Sequence, residues 1–531
     1  MTEKQPLNPP RHFLPTLSCF GKSLLFGFVV LLGALLYSEK IHLTTADLGR
    51  HLKNGETFLT GLKPVTTNFY SYTEPDHPGI NNHWLTGVIF FLVQKWVGFE
   101  GLGVFYTCIF LLTIAIFFWV SQKMSNFYYA LFFFLISLPL ITSRTEIRPE
   151  GFSYLFLGIY FYLLHQVKTR KLPPEFLWII PLIQVLWVNM HIFFTFGLGI
   201  VGAFVLDSWF NEKGRFLSQC YLKVGFVSAV VCLANPFGIK GALAPLTTFM
   251  NYGYMLAENQ PVIFMQKRMP GNPLYVHFEA LFFVCATGFS LVLRKHNFRK
   301  YVLAVSLLTF FSVLSWRFIR AIPLFGFFLV PFMASLGHDF FKDRSPLVNR
   351  RVSQGLMVLS ILILGSALSF KNLYYSPQKL NPQKLFGLMP GVNASAEFFK
   401  RNQLEGPVFN NYDIGGYLIY HLFPRERVFV DNRPENYSVS FFKDVYVPMQ
   451  ENDDVWQKME KRYGFNAIYF YRHDMTPWAQ SFLIRRIRDV RWAPVFVDDY
   501  TIIFLKRNPK NARLIRMYEL PPWMFQVRRN F

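Results

Sequence analysis

Residues 44–85 carry the polar sequence around which the rest of the chain is organised. They read T-T-A-D-L-G-R-H-L-K-N-G-E from Thr44 to Glu56, G-L-K-P-V-T-T-N-F-Y-S-Y-T-E-P from Gly61 to Pro75, and N-N-H-W-L from Asn81 to Leu85. One long apolar segment precedes this stretch and the others follow it, which predicts a polar loop on a membrane-embedded body. The loop holds the first candidates for chemistry, which are Asp47, Arg50, His51, Glu56 and His83.

The composition is typical of a polytopic membrane protein. Of the 531 residues, 52% are hydrophobic and only 16% are charged, against about 25% charged residues in ordinary soluble proteins. The formal net charge of +22 does not predict a nucleic-acid partner, because short basic cytoplasmic loops give a membrane protein the same excess and no nucleic-acid-binding motif is present. The five cysteines lie within or beside apolar segments and predict neither a disulfide framework nor a zinc site.

Apolar segments that could cross a bilayer number about eleven, although several are shorter than the roughly 20 residues of an ideal span. They lie near residues 21–37, 101–120, 127–142, 150–167, 176–190, 192–209, 223–235, 274–294, 301–316, 318–336 and 354–371.

The orientation depends on the run Trp84–Val97, which is short and contains Gln94 and Lys95. If this run lies along the membrane surface, the basic loops near residues 170, 218, 297 and 346 all fall on the side of the basic N-terminus, as the positive-inside rule requires. We therefore predict a juxtamembrane helix at 84–98, a cytoplasmic N-terminus at 1–20, and a membrane domain at 21–371 with its first outer loop at 38–83.

From about residue 372 charges become dense and long apolar runs stop, which predicts an extracytoplasmic α/β domain at 372–510 followed by a basic and aromatic tail at 511–531. The pattern predicts helices at Gly415–Leu422 and Val455–Tyr463. Its predicted strands lie at Pro407–Asn410, Arg427–Asp431 and Asn466–Tyr471, with a terminal pair around Val495–Leu505.

Two features of this outer domain are open to more than one interpretation. The Y-D-I-G-G sequence at Tyr412–Gly416 fits a tight turn better than a ligand-contacting loop, because paired glycines serve backbone geometry first. Asp431 and Arg433 have either a functional role or only each other as partners, and we assign them no catalysis.

Asp47 is the leading candidate for chemistry in the first outer loop. Asp47 and His51 stand four residues apart and share a face of the helix predicted after Thr44-Thr45, with Arg50 beside them. The spacing alone leaves a second interpretation open, in which Asp47 is simply an acidic residue that the helix dipole favours in a first turn.

Several short motifs resemble a known family. They are the early Asp of the first loop with the later G-E, the G-L-K-P-V-T-T-N-F-Y-S-Y-T and H-W-L runs, Arg148-Pro149, W-V-N-M-H at Trp187–His191, N-P-F-G at Asn235–Gly238, R-F-I-R-A-I-P-L-F from Arg317, Y-D-I-G-G-Y-L, and V-F-V-D-N-R. Together they resemble bacterial members of the C-type (GT-C) membrane glycosyltransferase superfamily, which use polyprenyl-phosphate sugars. The chain departs from that pattern at Gly49-Arg50, where bulky aromatic residues commonly follow the Asp, and at Asn82, where an acidic residue is often found.

The resemblance implies that Asp47 is the catalytic acid of the first loop. It would act as general base on an acceptor hydroxyl while the sugar's anomeric carbon is displaced from a lipid phosphate. The departures leave the second acidic partner open, and the candidates are Glu56, Glu146, Glu150 and Glu258.

Arginine suits a lipid-phosphate leaving group, because its planar fork binds phosphate through two hydrogen bonds and stays charged. We expect Arg317, Arg320 and Arg148 to bind the donor phosphate. The alternative is that these arginines pair with lipid headgroups or with Glu146 and Glu150.

The substrate pocket is expected to include His51, His83, Asn189, His191 and Glu258. A divalent metal, Mg²⁺ or Mn²⁺, held by Asp47, Glu258 and waters is compatible with the sequence. The sequence contains no recognisable set of metal-binding residues, so the metal site is unknown and no cofactor is firmly predicted.

The sequence thus predicts a polytopic α-helical, GT-C-like membrane protein of the bacterial inner (plasma) membrane. We expect a glycosyltransferase that moves a sugar from a polyprenyl-phosphate-linked donor to an envelope glycan, lipid or protein acceptor on the extracytoplasmic face. The alternatives are a transporter of lipid-linked glycans or envelope polymers, and a non-catalytic membrane scaffold with this fold.

Overall fold

The membrane part of the chain is built mainly from α-helices, with short 3-10 helices between some of them, as far as the described residues reach. The structure, a computed structural model, describes residues 17–61, 64–211, 215–247, 252–294, 296–369 and 385–525. The α-helices up to residue 369 are α1 (Cys19–Tyr37), α2 (Leu48–Gly61), α3 (Trp84–Met124), α4 (Phe127–Ile141), α5 (Glu150–Lys168), α6 (Ile179–Val188), α7 (Phe194–Phe210), α8 (Arg215–Val231), α9 (Ile239–Thr247), α10 (Val262–Arg268), α11 (Pro273–Leu293), α12 (Val302–Arg317), α13 (Ile322–Lys342) and α14 (Pro346–Ser369).

Six helical segments of the described chain are long and apolar enough to cross a membrane. They are Cys19–Tyr37, Trp84–Met124, Pro273–Leu293, Phe298–Arg317, Ile319–Lys342 and Pro346–Ser366. Shorter apolar helices lie at Phe127–Ile141, Pro174–Val188 and Phe194–Phe210. The protein is therefore a multi-pass membrane protein, as predicted, while the count of eleven spans and the orientation of the termini stay predictions.

Helix α3 is interrupted at Gly98, the position at which the predicted juxtamembrane helix ends. Gly98 has φ 71° and ψ −175°, a backbone conformation that glycine adopts without steric cost and that interrupts the helix. The arm before Gly98 is thus separate from the long apolar arm after it. That the first arm lies along the membrane surface stays a prediction.

The C-terminal domain, which is predicted to be extracytoplasmic and is called the outer domain below, combines a small mixed sheet with short helices. Its elements are α15 (Ala394–Arg401), β1 (Val408–Asn410), α16 (Gly415–Leu422), α17 (Pro448–Glu451), α18 (Asp453–Tyr463), β2 (Ala467–Tyr471), α19 (Ala479–Arg488), β3 (Trp492–Val497), β4 (Thr501–Lys506) and α20 (Ala512–Tyr518). The strand order is β1-β2-β4-β3, with β1 parallel to β2 and the other pairs antiparallel. This arrangement confirms the predicted α/β domain.

The predicted strand at Arg427–Asp431 is wrong. Within this segment only Val428 forms a β-bridge, and its partner is Ser71 of the first outer loop rather than a strand of the sheet. The Val428 N–H donates to the Tyr70 carbonyl at 3.0 Å, and the Tyr72 N–H donates to the Val428 carbonyl at 3.1 Å. The apolar V-F-V run that suggested a strand is therefore buried, but it pairs with the first loop and not within the sheet.

Helix α2 lies between the membrane part and the outer domain, and glycines make both contacts close. A Cβ atom on Gly55 would lie 2.2 Å from the carbonyl oxygen of Gly87 in α3. A Cβ atom on Gly49 would lie 2.8 Å from the carbonyl oxygen of Gly416 in α16. These contacts fix the start of α2, and with it Asp47, at the junction of the two parts of the protein.

We expect Gly49→Ala to lower the thermal unfolding temperature of the detergent-solubilised protein. The added methyl group would press against the Gly416 carbonyl, and overpacking of this kind costs about 1–3 kcal/mol. Gly61→Ala on the same helix is the matched control, because a Cβ atom there meets nothing within 4 Å. An unfolding temperature of Gly49→Ala equal to that of the wild type would contradict the close contact.

Candidate active site

A cavity of about 450 Å³ lies where the first outer loop, the loops between membrane helices and the outer domain meet. It brings together most of the residues singled out from the sequence. Its predicted members are Asp47, His51, His83, Arg148, His191, Glu258 and Arg320. Polar residues of the outer domain complete the wall, namely Tyr412, Asp413, Asn432 and Glu435.

Both carboxylate oxygens of Asp47 are held by neighbouring donors. Asp47 directly precedes α2, and its main-chain carbonyl accepts a hydrogen bond from the His51 N–H at 3.1 Å. Its Oδ2 lies 3.2 Å from Arg148 Nη1, and its Oδ1 lies 3.5 Å from Arg50 Nη2. The side-chain amide of Asn432 in the outer domain also donates to Oδ1. The orientation of this carboxylate thus depends on both parts of the protein.

Glu258 joins three arginines into one network. Its Oε2 lies 2.8 Å from Arg148 Nη1 and 2.9 Å from Arg144 Nη2, and its Oε1 lies 3.1 Å from Arg320 Nη1. Burial alone raises the pKa of Glu258, but the charges of these three arginines together hold it well below the ordinary value. Glu258 is therefore a charged partner that holds Arg148 and Arg320 in the cavity wall.

The other predicted candidates for a second catalytic acid are also paired with cations. Glu146 lies 2.7 Å from Arg148 Nε, and Glu150 contacts Arg144. Glu56 lies outside the cavity wall and pairs with Lys53 at 2.6 Å. None of these carboxylates, nor Glu258, is left without a counter-charge.

Three histidines line one side of the cavity. The ring centroids of His51 and His83 are 5.6 Å apart, and those of His83 and His191 are 5.2 Å apart. Burial, aided by the charge of Arg50, lowers the pKa of His83 to about 3 and that of His51 well below its ordinary value. These two imidazoles are therefore neutral at physiological pH, and they can exchange hydrogen bonds with sugar hydroxyls without adding charge.

Two predicted site residues lie elsewhere. Asn189 does not line the cavity: its Oδ1 accepts a hydrogen bond from Trp84 Nε1 at 2.8 Å, and its Nδ2 donates to the carbonyls of Val185 and Ala234. It therefore holds the start of α3 in place. Arg317, at the end of α12, faces a neighbouring cavity instead.

This second cavity has a volume of about 400 Å³ and shares Tyr252, Leu256 and Asn259 with the first. Its charged wall residues are Arg317 and Lys443, and no acidic residue lines it. Neither cation is paired with a carboxylate within the part of the chain that the structure describes. The second cavity is therefore electropositive, whereas five carboxylates and three arginines line the first.

The sequence analysis assigned no role to the outer-domain residues of the two cavities, although two of its motifs contain Tyr412, Asp413 and Asn432. Asp413 belongs to the Y-D-I-G-G sequence, where the predicted turn is present at 412–414. Gly415 allows the start of α16 to pack closely against Asp431, since a Cβ atom on Gly415 would lie 2.4 Å from the Asp431 Cα. In V-F-V-D-N-R, Asp431 and Arg433 pair with each other at 2.7 Å, and Asn432 between them reaches Asp47.

The carboxylates of the first cavity do not fit a divalent metal. Arg148 Nη1 contacts both Asp47 and Glu258, so a guanidinium nitrogen lies between the two carboxylates that the sequence suggested as ligands. The described residues contain no group of three or more His, Cys, Asp or Glu side chains suited to hold a metal ion. We therefore derive no step from a metal at this site.

We expect Glu258→Gln to destabilise the protein in a pH-dependent way. Because the pKa of Glu258 is lower in the folded protein than in the unfolded chain, its charge stabilises the fold above about pH 4.3, and this stabilisation is lost as the pH falls further. The unfolding temperature of Glu258→Gln should lie well below that of the wild type at pH 7, and the difference should shrink below pH 4. Glu175→Gln, at an exposed position, is the control. A difference that does not change with pH would contradict the network.

No protein-family model and no curated protein matches this sequence. Solved structures do match. The archaeal oligosaccharyltransferase AglB from Archaeoglobus fulgidus, in complex with an inhibitory peptide and a dolichol-phosphate, gives a TM-score of 0.56 at 9% identity over 90% of this chain and 73% of its own. The oligosaccharyltransferase of the same organism in complex with Zn and sulfate gives 0.57 at 11% identity over 91% and 73%.

ArnT from Cupriavidus metallidurans, bound to undecaprenyl phosphate, gives a TM-score of 0.52 at 12% identity and covers 92% of this chain and 98% of its own. AglB and ArnT are GT-C membrane glycosyltransferases, so the predicted GT-C fold is confirmed. At these identities the likeness shows the fold alone.

Proposed function

We propose that the protein is an integral membrane glycosyltransferase. It transfers a sugar from a polyprenyl-phosphate-linked donor to an envelope glycan, lipid or protein acceptor on the extracytoplasmic face of the bacterial inner membrane. The observation that carries this proposal is the pairing, within a GT-C fold, of a carboxylate-lined cavity around Asp47 with an adjoining electropositive cavity. The known structures with a dolichol-phosphate and with undecaprenyl phosphate support a lipid phosphate as the donor's leaving group.

The donor phosphate binds at the second cavity in this proposal. Arg317 and Lys443 offer charge that no carboxylate of the described residues neutralises. Arg320 borders the same place, since its Nη1 lies 3.4 Å from the side-chain oxygen of Asn259, which both cavities share. Sugar transfer converts the donor's phosphodiester into a phosphate monoester with more negative charge, and fixed cations stabilise such developing charge.

Arg148 acts beside the phosphate rather than as its main partner. Its guanidinium already contacts Asp47, Glu146 and Glu258, so a phosphate would have to compete with three carboxylates there. In the proposed site Arg148 holds Asp47 and Glu258 in place, while the neutral His51, His83 and His191 bind sugar hydroxyls. Asn189 contributes indirectly, through the position of Trp84.

Asp47 acts on the acceptor. Each carboxylate oxygen can accept about two hydrogen bonds, and among the residues that the structure describes Oδ2 has Arg148 as its one partner. The acceptor hydroxyl donates its hydrogen bond to this oxygen, and Asp47 serves as base while the acceptor oxygen attacks the anomeric carbon. The bond from that carbon to the phosphate oxygen breaks, and its electron pair leaves with the polyprenyl phosphate.

We expect Asp47→Asn to reduce sugar transfer by about 10²–10⁴-fold, the usual contribution of a general base. The assay uses the purified protein and a panel of undecaprenyl-phosphate-linked sugars with envelope extracts as acceptors. Asp76→Asn, an exposed aspartate of the same outer loop, is the matched control. An Asp47→Asn protein that keeps the wild-type unfolding temperature and transfers sugar at the wild-type rate would overturn the role of Asp47.

We expect Arg317→Ala and Lys443→Ala each to weaken the binding of undecaprenyl phosphate about 10-fold, because hydrogen bonds to charged groups contribute about 1.5–3 kcal/mol. Binding is measured by titration of the protein in nanodiscs. Lys267→Ala removes an exposed cation of α10 that lines neither cavity and serves as control. Unchanged affinity in both cavity variants would rule out the second cavity as the phosphate site.

A further inference from the structure

Asp413 is the carboxylate of the first cavity whose surroundings differ most from those of Asp47. It lies in the turn between β1 and α16 of the outer domain and lines the cavity wall. Within the part of the chain that the structure describes, no arginine or lysine is among the groups that act on its carboxylate. Among the other described carboxylates of this cavity, by contrast, Asp47, Glu150 and Glu258 each contact at least one arginine, and the charge of Arg50 acts on Glu435.

The groups around Asp413 are acidic or aromatic. Asp47 faces it across the cavity, and Asp474 faces it from the segment after β2. The phenols of Tyr254, Tyr412, Tyr446 and Tyr471 also lie close enough for the charge of Asp413 to raise their pKa values. Burial, with added repulsion from the charges of Asp474 and Asp47, raises the pKa of Asp413 to about 7.

The two aspartates therefore differ in what protonation would do to their neighbours. A proton on Asp47 would leave Arg50 and Arg148 with less counter-charge, although both guanidinium groups contact its carboxylate. A proton on Asp413 would relieve repulsion between carboxylates and leave no cation unpaired. Asp413 is thus the better place for a proton that the reaction releases inside the cavity.

We propose that Asp413 is a second catalytic carboxylate, which takes up the proton that the acceptor hydroxyl loses during transfer. This inference rests on the proposed function, and it assigns the proton transfer to two aspartates, Asp47 and Asp413. Asp47 accepts the hydroxyl's hydrogen bond and orients it. As the bond from the acceptor oxygen to the anomeric carbon forms, the O–H bond breaks and its proton passes to Asp47, which hands it on to the Asp413 carboxylate and is ionised again. The electron pair of the broken carbon–phosphate oxygen bond leaves with the polyprenyl phosphate, and Asp413 later releases its proton to solvent.

The pH dependence of kcat tests this role. Asp413 can accept a proton only when it is ionised, so the kcat of the wild type should rise with pH and level off above about pH 7. Asp413→Asn should lower kcat about 100-fold or more and abolish this rise. Asp413→Glu should restore part of kcat together with a rise, and Asp499→Asn, an exposed aspartate of the same domain, should behave as the wild type.

The outcomes separate this inference from the proposed function. If the wild type transfers no sugar from the undecaprenyl-phosphate panel and binds no undecaprenyl phosphate, the proposed function fails. If the wild type is active but Asp413→Asn keeps its kcat and its pH profile, the role of Asp413 is overturned while the function stands. Should Asp413→Asn not fold, a wild-type kcat that is flat between pH 5.5 and 8 would overturn the role just as well.

Discussion

The close approach of three helices at α2 is the constraint on which the candidate site depends. Gly55 meets Gly87 of the membrane part, and Gly49 meets Gly416 of the outer domain, at distances that leave no room for a Cβ atom. Asp47 directly precedes this helix, and Asn432 of the outer domain donates to its carboxylate. The outer domain is therefore part of the site's wall, and a shift of its position would change both the orientation of Asp47 and the cavity around it.

Charge is distributed unevenly between the two adjoining cavities. The first cavity holds more carboxylates than arginines, and Glu258 ties three arginines to the wall. The second cavity presents Arg317 and Lys443 without a carboxylate on its wall. This separation keeps the groups that would take up a proton apart from the groups that would meet a phosphate, although Asn259 borders both. The proposed phosphate and base would thus lie in adjoining cavities without neutralising each other.

Local sequence features predicted the class of protein, the outer domain and the first-loop residues, because apolar runs and alternating patterns are local properties. The segment Arg427–Asp431 was misjudged because its partner is the first outer loop, more than 350 residues away. Asp413 and Lys443 were missed for the same reason, since only the folded chain brings them to the cavities. Gly49, a departure from the family pattern, has a structural explanation in its contact with Gly416.

The division of the site into a carboxylate cavity and a phosphate cavity is tested most directly by a cryo-EM structure of the full-length protein in nanodiscs with undecaprenyl phosphate. The account predicts density for the phosphate in the second cavity, within hydrogen-bonding distance of Arg317 and Lys443 and beside Asn259. Density for the phosphate on the lipid-facing surface of the helices, away from both cavities, would contradict it.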